Sequence, residues 1–496
     1  MPAPNCTGWA RNRWRLAHLF RFATTVLVFI AALSSVALAQ PAVTVRPTSG
    51  PPTERAVVSG TGFGANEAVD IYFDTADMAL AATGPSGSFT GVGLTIPASA
   101  APGTHWITGV GRHSGLAAQT TFILQTDWPQ FRRGPEHQGY NATENVLDVA
   151  SVKRLRLLWS ATLGAGINNS SPVVANGVVY VGALDGSVYA FKAVTGQLLW
   201  SQGIGEPIQD SPAVAKGVSY ATSYGELYAL DAATGHVNWY TASDGFGESS
   251  SAVANGVVYV ASEFDNDLYA FDATTGQQVW KAASAASISS SPAVANGVVY
   301  VGSSDKKLNA FNAATGRPLW SAATSAAISS SSPAVANGVV YVGSDDKKLY
   351  AFNAATGQLL WSAATAASIS SSPAVANGLV YVGSLDHNLY AFNAVTGQPA
   401  WSAATGNQIW SSPAVANGVV YVGSNDFKLY AFNAATGQPV WSAATGGQIN
   451  SSPAVANGIV YIGSDKLYAF GLRPADASAR PNPATLQPDL TLLPSQ

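Results

Sequence analysis

The sequence predicts an all-β protein, an eight-bladed β-propeller preceded by a small β-sandwich, and three observations carry this prediction. Tryptophans recur at a step of 39 to 41 residues, and a fixed period of this size indicates a repeat architecture. Each repeat divides into short apolar runs that turn residues separate, as is typical of strands. The repeats number eight. We expect the recurring tryptophans to form a structural ring: Trp159, Trp200, Trp239, Trp280, Trp320, Trp361, Trp401 and Trp441.

One repeat contains four predicted strands. The clearest copy, Ser330 to Trp361, reads SSSPAVANGVVYVGSDDKKLYAFNAATGQLLW. Asn337-Gly338 is a preferred pair for a two-residue hairpin turn, because both positions need positive φ, and Thr356-Gly357 marks a further turn. The strands are SPAVA, GVVYVGS, KLYAFNA and GQLLWSA. The second is apolar at consecutive positions, so both of its faces should be buried, as they are between radially packed blades.

The ends of the repeat region predict how the ring closes. The eighth unit stops at Phe470 without its tryptophan strand, while an unpartnered tryptophan strand, residues 155–163, precedes the first unit. We expect this strand to complete the eighth blade. The first-strand signals are Ser171-Pro172, Ser211-Pro212, Ser250-Ser251, Ser291-Pro292, Ser332-Pro333, Ser372-Pro373, Ser412-Pro413 and Ser452-Pro453.

Residues 1–39 have the pattern of a secretory signal. Four arginines precede the apolar stretch Ala23 to Val36, and Ala37-Leu38-Ala39 is a small-residue cleavage site. An uncleaved anchor is the alternative, because Phe22 to Ala39 is nearly long enough to span a membrane. Either reading predicts export, to the periplasm or the cell exterior, and cleavage would leave no membrane span.

Residues 41–125 contain no copy of the repeat and form about seven short predicted strands between glycines and prolines. Two stretches, SGTGFGANEAVDIYFD and PASAAPGTHWITGVG, resemble immunoglobulin-like modules of the IPT/TIG type. That resemblance implies a spacer or an adhesive module. We further expect the lead-in segment, Gln125 to Asn145, to run across the propeller and lock its first blades, and residues 473–496, rich in proline, to be disordered.

Charge and cysteine content limit the partners. The formal charge of the whole chain is −4, and removal of a leader with four arginines and no acidic residue leaves −8. No basic stripe remains for nucleic acid or anionic lipid. The single cysteine, Cys6, lies in the leader, so no disulfide is expected. We predict a monomer that binds a protein, or a ligand of the cell envelope or surface.

Residues Asp127 to Leu472, including DWPQFRRGPEHQGYN, resemble the pyrroloquinoline-quinone (PQQ) repeat. Both BamB-type outer-membrane assembly lipoproteins and quinoprotein alcohol dehydrogenases use it in eight-bladed propellers. The chain departs from the first group because Cys6 precedes the apolar stretch, whereas a lipid-anchored cysteine would follow it. It departs from the second group because the adjacent cysteine pair and the insertions that bury PQQ are missing, and no motif assigns a catalytic residue.

The two faces of the disc differ in sequence. The hairpin face, formed by the Asn-Gly and Thr-Gly turns, barely varies between copies and is predicted to be structural. The crossover face, formed by the loops between second and third strands and by the crossovers between blades, varies. We predict that it binds a protein or ligand, against the alternative of drift among duplicated blades. The candidate residues on it are Asn169, Gln209, Asp210, Glu248, Trp410 and Asn450, with Tyr224, Phe264 and Leu385 at the loop tips.

No metal site and no cofactor are predicted. Aspartates such as Asp185 and Asp346 recur once per blade after the second strand, a position where aspartate stabilises a turn through its own backbone. The six histidines form no spaced pair on the propeller, and His137 is expected to be a packing or hydrogen-bonding residue. Three functions therefore stay open: a non-catalytic binding scaffold, which we favour, a PQQ- and Ca²⁺-dependent dehydrogenase, and an adhesion protein.

Overall fold

The computed structural model describes residues 40–242, 245–246 and 249–473. The predicted signal, residues 1–39, the tail beyond residue 473 and the candidate Glu248 lie outside these described residues. Apart from one 3₁₀ turn, Val152–Arg154, all regular structure in the described ranges is β-strand. The part of the chain that the structure describes contains no helix with the length and hydrophobicity of a membrane span.

A small β-sandwich precedes the propeller, as expected. It consists of a three-stranded and a five-stranded sheet. Alternate residues of its strands, such as Val43 and Val45, point into a shared core, while their neighbours face solvent. The immunoglobulin-like relationship stays a prediction. The strands are Ala42–Arg46, Ser49–Gly50, Arg55–Thr61, Ala68–Phe73, Ala76–Ala82, Phe89–Thr95, Gly103–Gly111 and Ala117–Leu124.

Eight antiparallel sheets follow, each with four strands from the repeat, and the first strands of neighbouring sheets contact one another in a closed ring. The inner strands are Val173–Ala175, Ala213–Ala215, Ala252–Ala254, Ala293–Ala295, Ala334–Ala336, Ala374–Ala376, Ala414–Ala416 and Ala454–Ala456. The second strands are Val178–Gly182, Val218–Ser223, Val257–Ala261, Val298–Ser303, Val339–Gly343, Leu379–Gly383, Val419–Ser424 and Ile459–Gly463. The third strands are Ser187–Lys192, Glu226–Asp231, Asp267–Asp272, Lys307–Asn312, Lys348–Asn353, Asn388–Asn393, Lys428–Asn433 and Leu467–Gly471. The outer strands are Leu198–Gly203, Val237–Ala242, Gln278–Ala283, Pro318–Ala323, Leu359–Ala364, Pro399–Ala404, Pro439–Ala444 and, for the eighth blade, Arg156–Ala161.

The local chemistry of the repeat explains this architecture. Asn337 and Gly338 have φ values of 50° and 76°, which is the backbone that the two-residue turn requires. In Val339–Gly343 every residue after the first is buried. The core is divided accordingly into clusters, and one of them combines Tyr259 of the third blade with Val299 of the fourth. Burial between blades therefore holds the ring together, at about 25 cal/mol for each Å² of apolar surface.

The tryptophans connect each blade to the next. Trp200 Nε1 and the Tyr180 hydroxyl both donate to the carbonyl oxygen of Ala232 in the following blade, each at 3.0 Å. Gly235 lies against the same indole, and a Cβ there would sit 2.6 Å from a ring carbon. Trp200 and Trp280 are buried, whereas the other six tryptophans of the ring are partly exposed. In six other tryptophans Nε1 likewise donates to an alanine carbonyl oxygen of the next blade: Trp159, Trp239, Trp280, Trp320, Trp361 and Trp401.

The N-terminal tryptophan strand supplies the last strand of the eighth blade. Arg156–Ala161 pairs antiparallel with Leu467–Gly471. One bond pattern changes at this junction, because Trp441 Nε1 donates to the Leu155 carbonyl instead of an alanine carbonyl. The Tyr421 hydroxyl, the neighbour of Trp441, consequently has no partner among the described residues, and burial raises its pKa well above the ordinary value.

Candidate functional site

The lead-in segment (Gln125 to Asn145) fills the channel of the propeller. We expected it to cross the disc and lock the first blades, but it circles inside the channel and bonds the inner strands of all eight. Seven inner valine N–H groups donate to it at 2.7–2.8 Å, and Asn141 Nδ2 donates to the Val455 carbonyl of the eighth blade. Inner strands have one unpaired edge, and this segment satisfies it.

Two side chains of the lead-in segment lie at the centre of the channel. Arg132 is 2% exposed and donates to the carbonyl oxygens of Pro373 and Pro413. His137 is 1% exposed and packs edge-on against Phe131, with ring centroids 5.3 Å apart. Burial, together with the Arg132 charge, lowers the pKa of His137 to about 3, so the imidazole is neutral. His137 therefore packs inside the channel and hydrogen-bonds the Pro333 backbone there.

Above the segment, eight serines form a closed ring of hydrogen bonds, which we call the serine ring. The backbone N–H of each serine donates to the Oγ of the serine in the next blade, at 2.9–3.1 Å. All eight side chains are buried. The members are Ser171, Ser211, Ser250, Ser291, Ser332, Ser372, Ser412 and Ser452.

The channel opens from this ring onto the crossover face as a cavity of about 500 Å³, which we call the cup. Phe131 of the lead-in segment lines it together with the serine ring, and Ser289, Ser330 and Ser370 line one side. The other side carries seven amides, the amide crescent: Asn168, Asn169, Gln209, Gln408, Asn425, Gln448 and Asn450. No charged residue lines the cup within the described ranges.

Hydrogen bonds connect part of the amide crescent. Asn450 Nδ2 donates to Asn168 Oδ1 at 2.8 Å, and Asn168 Nδ2 in turn donates to Gln209 Oε1 at 3.3 Å. Trp410 lines the cup beside the crescent with 39% of its surface exposed, and its Nε1 donates to Gln408 Oε1 at 3.3 Å. Amides with both donors and acceptors, beside an exposed aromatic ring, can bind a ligand that carries several polar groups.

Seven of the nine predicted site residues fall into three places. Asn169, Gln209, Trp410 and Asn450 line the cup. Tyr224 and Phe264, which are more than half exposed, pack against each other with ring centroids 5.4 Å apart on neighbouring blades, and neither lines the cup. The partly exposed Leu385 also lies outside the cup lining.

Asp210, the candidate beside Gln209, is buried under the crossover and does not line the cup. It is 2% exposed, and its Oδ2 accepts the Thr222 N–H at 2.9 Å. In each of the other seven blades a serine, such as Ser170, makes the equivalent bond. Burial raises the pKa of Asp210 to about 7. The position therefore acts in packing between crossover and sheet.

The recurring aspartates have turn contacts. Asp346 Oδ1 accepts the Lys348 N–H at 3.0 Å, and its Oδ2 accepts both the Tyr350 hydroxyl at 2.5 Å and the Ser325 N–H at 3.0 Å. Asp386 repeats the pattern with Tyr390 and Ala366. These carboxylates tie each crossover to the loop beside it and are spread around the disc.

The donor set in the described lining of the cup does not fit PQQ with Ca²⁺. PQQ carries several carboxylates, which need cationic or clustered N–H partners, and Ca²⁺ takes about 6–8 oxygen ligands that usually include carboxylates. The described lining offers neither a cation nor a carboxylate. Across the described residues no three His, Cys, Asp or Glu side chains come together as a possible metal site.

Sequence reasoning missed two parts of the site. The amides at Asn168, Gln408, Asn425 and Gln448 were not singled out, although they vary between blades as Asn169 does. The repeated Ser-Pro pairs predicted only the start of each first strand. Nothing in them indicated that the serines bond one another between blades. The lead-in segment has no repeat, so its position inside the channel depends on tertiary contacts.

The hairpin face carries the N-terminal sandwich. Gln125 Nε2 donates to Asn176 Oδ1 of an Asn-Gly turn at 3.2 Å, and Asn145 Nδ2 donates to the Ala98 and Ala100 carbonyls of the sandwich at 3.0 and 2.8 Å. Thr126 is bonded to Asn457, in another Asn-Gly turn. The sandwich therefore lies on the side away from the cup.

The family described as "Outer membrane protein assembly factor BamB" matches residues 148–249, 225–368, 324–412 and 402–480. No curated protein matches the chain by sequence. Solved structures share the fold. BamB from Moraxella catarrhalis has a TM-score of 0.56 and 21% identity over 64% of this chain and 98% of that one. A quinohemoprotein alcohol dehydrogenase from Comamonas testosteroni has a TM-score of 0.61 and 17% identity over 70% and 80%. The computationally designed protein Ika8 has a TM-score of 0.56 and 18% identity over 64% of this chain and 100% of that one.

Proposed function

The chain belongs to the family described as outer membrane protein assembly factor BamB, and from this premise we propose that it is an exported, monomeric, non-catalytic binding protein of the cell envelope. Its working surface is the crossover face, with the cup at the centre. The partner is a protein or a ligand of the envelope, encountered in the periplasm or outside the cell. The sandwich acts as an immunoglobulin-like spacer on the opposite side.

One observation carries this proposal: the lead-in segment fills the channel, and the cup above it opens onto the face that the sandwich leaves uncovered. Such a cup is a concave recess, which is the form of most small-molecule sites. The serine ring and the inter-blade bonds fix the loops around it, and a rigid frame lowers the entropic cost of binding.

The dehydrogenase alternative gains only fold-level support. The quinohemoprotein neighbour is 17% identical, and a shared fold hosts many functions. The lining of the cup, with hydroxyls and amides and no ionic group in the described ranges, favours binding of a neutral or mixed polar surface over binding of an anionic cofactor.

Capture from an envelope extract by the immobilised full-length chain tests the proposal. We expect Trp410→Ala, and the double variant Tyr224→Ala with Phe264→Ala, to lose the captured component. Val395→Ala is the matched control, because Val395 is 83% exposed in a Thr-Gly turn of the hairpin face. Equal capture by all variants contradicts the assignment of the face. Dye reduction by the chain with PQQ, Ca²⁺ and an alcohol or sugar contradicts the non-catalytic role.

A further inference from the structure

We propose that the cup binds an uncharged saccharide, with one face of a sugar ring against Trp410 and its hydroxyl groups among the amide crescent. This inference rests on the proposed function and names the ligand class of the same face. It depends on three features of the described lining: its lack of ionic groups, its paired donors and acceptors, and the exposed indole of Trp410.

The first feature is the absence of ionic groups in the described lining. A charged ligand would leave bulk water for a recess whose described lining offers no counter-charge, at a cost that hydroxyl and amide dipoles only partly offset. A neutral ligand meets no such penalty.

The second feature is the hydrogen-bonding character of the lining. A sugar hydroxyl is donor and acceptor at once, so it is best matched by groups that are also both. Each side-chain amide of the crescent has an NH₂ and a carbonyl, and Ser289, Ser330 and Ser370 add hydroxyls on the opposite side. The carbonyl oxygens of Asn425 and Asn450 have no partner within the described chain. Small rotations of these amides supply acceptors to a ligand.

The third feature is Trp410. Its indole is 39% exposed at the cup, and the bond from Nε1 to Gln408 holds its orientation. The face of an aromatic ring is negative, so it attracts the polarised C–H groups on one side of a sugar ring. The corresponding position in the other blades carries a hydroxyl in Ser289, Ser330 and Ser370 and an amide in Asn169, Gln209 and Asn450, while Glu248 lies outside the described residues. Among the described blades, one indole therefore stands in a ring of hydroxyls and amides.

A peptide is the less suitable occupant. Sites for apolar side chains are lined mainly by hydrophobic and aromatic groups, whereas Phe131 and Trp410 are the only such side chains in the described lining. The volume of about 500 Å³ lies in the range of small-molecule pockets, roughly 300–1,000 Å³. It accommodates the end of an oligosaccharide and no folded segment.

The test is calorimetric and NMR titration of the full-length chain with maltotriose, cellotriose, chitotriose and mannotriose, beside trigalacturonate as the charged probe. We expect at least one neutral trisaccharide to bind and trigalacturonate not to bind. Trp410→Ala should weaken the affinity about tenfold or more, the loss that a stacked aromatic contact implies. Gln209→Ala, across the crescent, should weaken it as well.

Phe427→Ala is the matched control, because Phe427 is 46% exposed on the same blade and does not line the cup. It should leave the affinity within about twofold. Circular dichroism establishes that each variant is folded. Binding of trigalacturonate alone, no binding of any neutral trisaccharide, or equal affinity of Trp410→Ala and wild type overturns the inference.

The two proposals fail separately. Face-dependent capture of a protein partner, with no saccharide bound, refutes the saccharide assignment and leaves the binding face intact. Saccharide binding that depends on Trp410, together with capture that no crossover-face variant alters, refutes partner binding at the face and leaves the cup as a saccharide site.

Discussion

The backbone N–H of Ser452 donates a 2.9 Å hydrogen bond to the Oγ of Ser171, across 281 positions of the chain. This bond closes the serine ring between the last inner strand and the first. It also shows that the ring is continuous where the eighth blade meets the first, so the wall of the cup has no gap there.

Removal of the Ser171 hydroxyl should destabilise the protein, because the hydrogen bond that closes the serine ring is lost. Ser171→Ala leaves the buried Ser452 N–H without its acceptor, and we expect a loss of about 1–3 kcal/mol in the free energy of unfolding. Ser160→Ala, on the exposed side of the closing strand, should change it by less than about 0.5 kcal/mol. Urea unfolding followed by tryptophan fluorescence measures both. Equal effects contradict a structural role for the ring.

His137 should make the protein acid-sensitive. Its pKa is about 3 in the fold, below the ordinary value of 6.5, so the unfolded chain takes up the proton first as the pH falls. The stability that depends on neutral His137 is therefore fully present above about pH 6.5 and is lost as the pH falls toward 3.

His137→Gln removes this group, so the free energy of unfolding should fall less steeply between pH 6.5 and pH 3. The difference should reach up to about 5 kcal/mol at pH 3. The exposed His236→Gln is the control. Chemical unfolding at pH 3.5, 5 and 7 measures the slope. A variant with the same slope as wild type contradicts the assignment.

Asp210 should make the protein less stable as the pH rises, the opposite of the effect of His137. Its pKa is raised to about 7, so the fold binds the proton more tightly than the unfolded chain does, and stability falls as the pH rises from about 4 to 7. Asp210→Ser introduces the residue found at the equivalent Ser170. We expect it to stabilise the protein at pH 8 by at most about 4 kcal/mol and to have little effect near pH 4. A gain that is the same at both pH values points to another cause.

Gly343 should not tolerate a methyl group. A Cβ there would lie 2.3 Å from Ile369 Cγ2, in the crossover that covers the end of the second strand. Gly343→Ala should cost about 1–3 kcal/mol of stability. Gly93→Ala is the control, since a Cβ at Gly93 meets nothing within 4 Å. The double variant with Ile369→Ala should lose less than the sum of the two single variants, and strict additivity would argue against the contact.

Much of the fold could be predicted, because its determinants are local and repeated. The turn at Asn337-Gly338, the doubly buried second strand and the period of the tryptophans each specify a blade, and the unpartnered strand before the first unit indicated how the eighth blade is completed. The candidate site could be predicted only in part. Asn169, Gln209, Trp410 and Asn450 were found because they vary, while Tyr224 and Phe264 were found as exposed tips and lie away from the cup.

By itself the sequence determined which residues form strands and turns, and how many blades there are, because backbone preference and side-chain burial follow from neighbours within one repeat. Tertiary structure alone decided that the lead-in segment fills the channel, that Asp210 is buried, and that seven amides meet on one side of the cup. Those outcomes depend on unpaired inner-strand edges and on crossovers of different blades, whose groups lie about 40 or more residues apart in the chain. A local sequence pattern does not show which distant groups will meet. The closed ring brings these groups together.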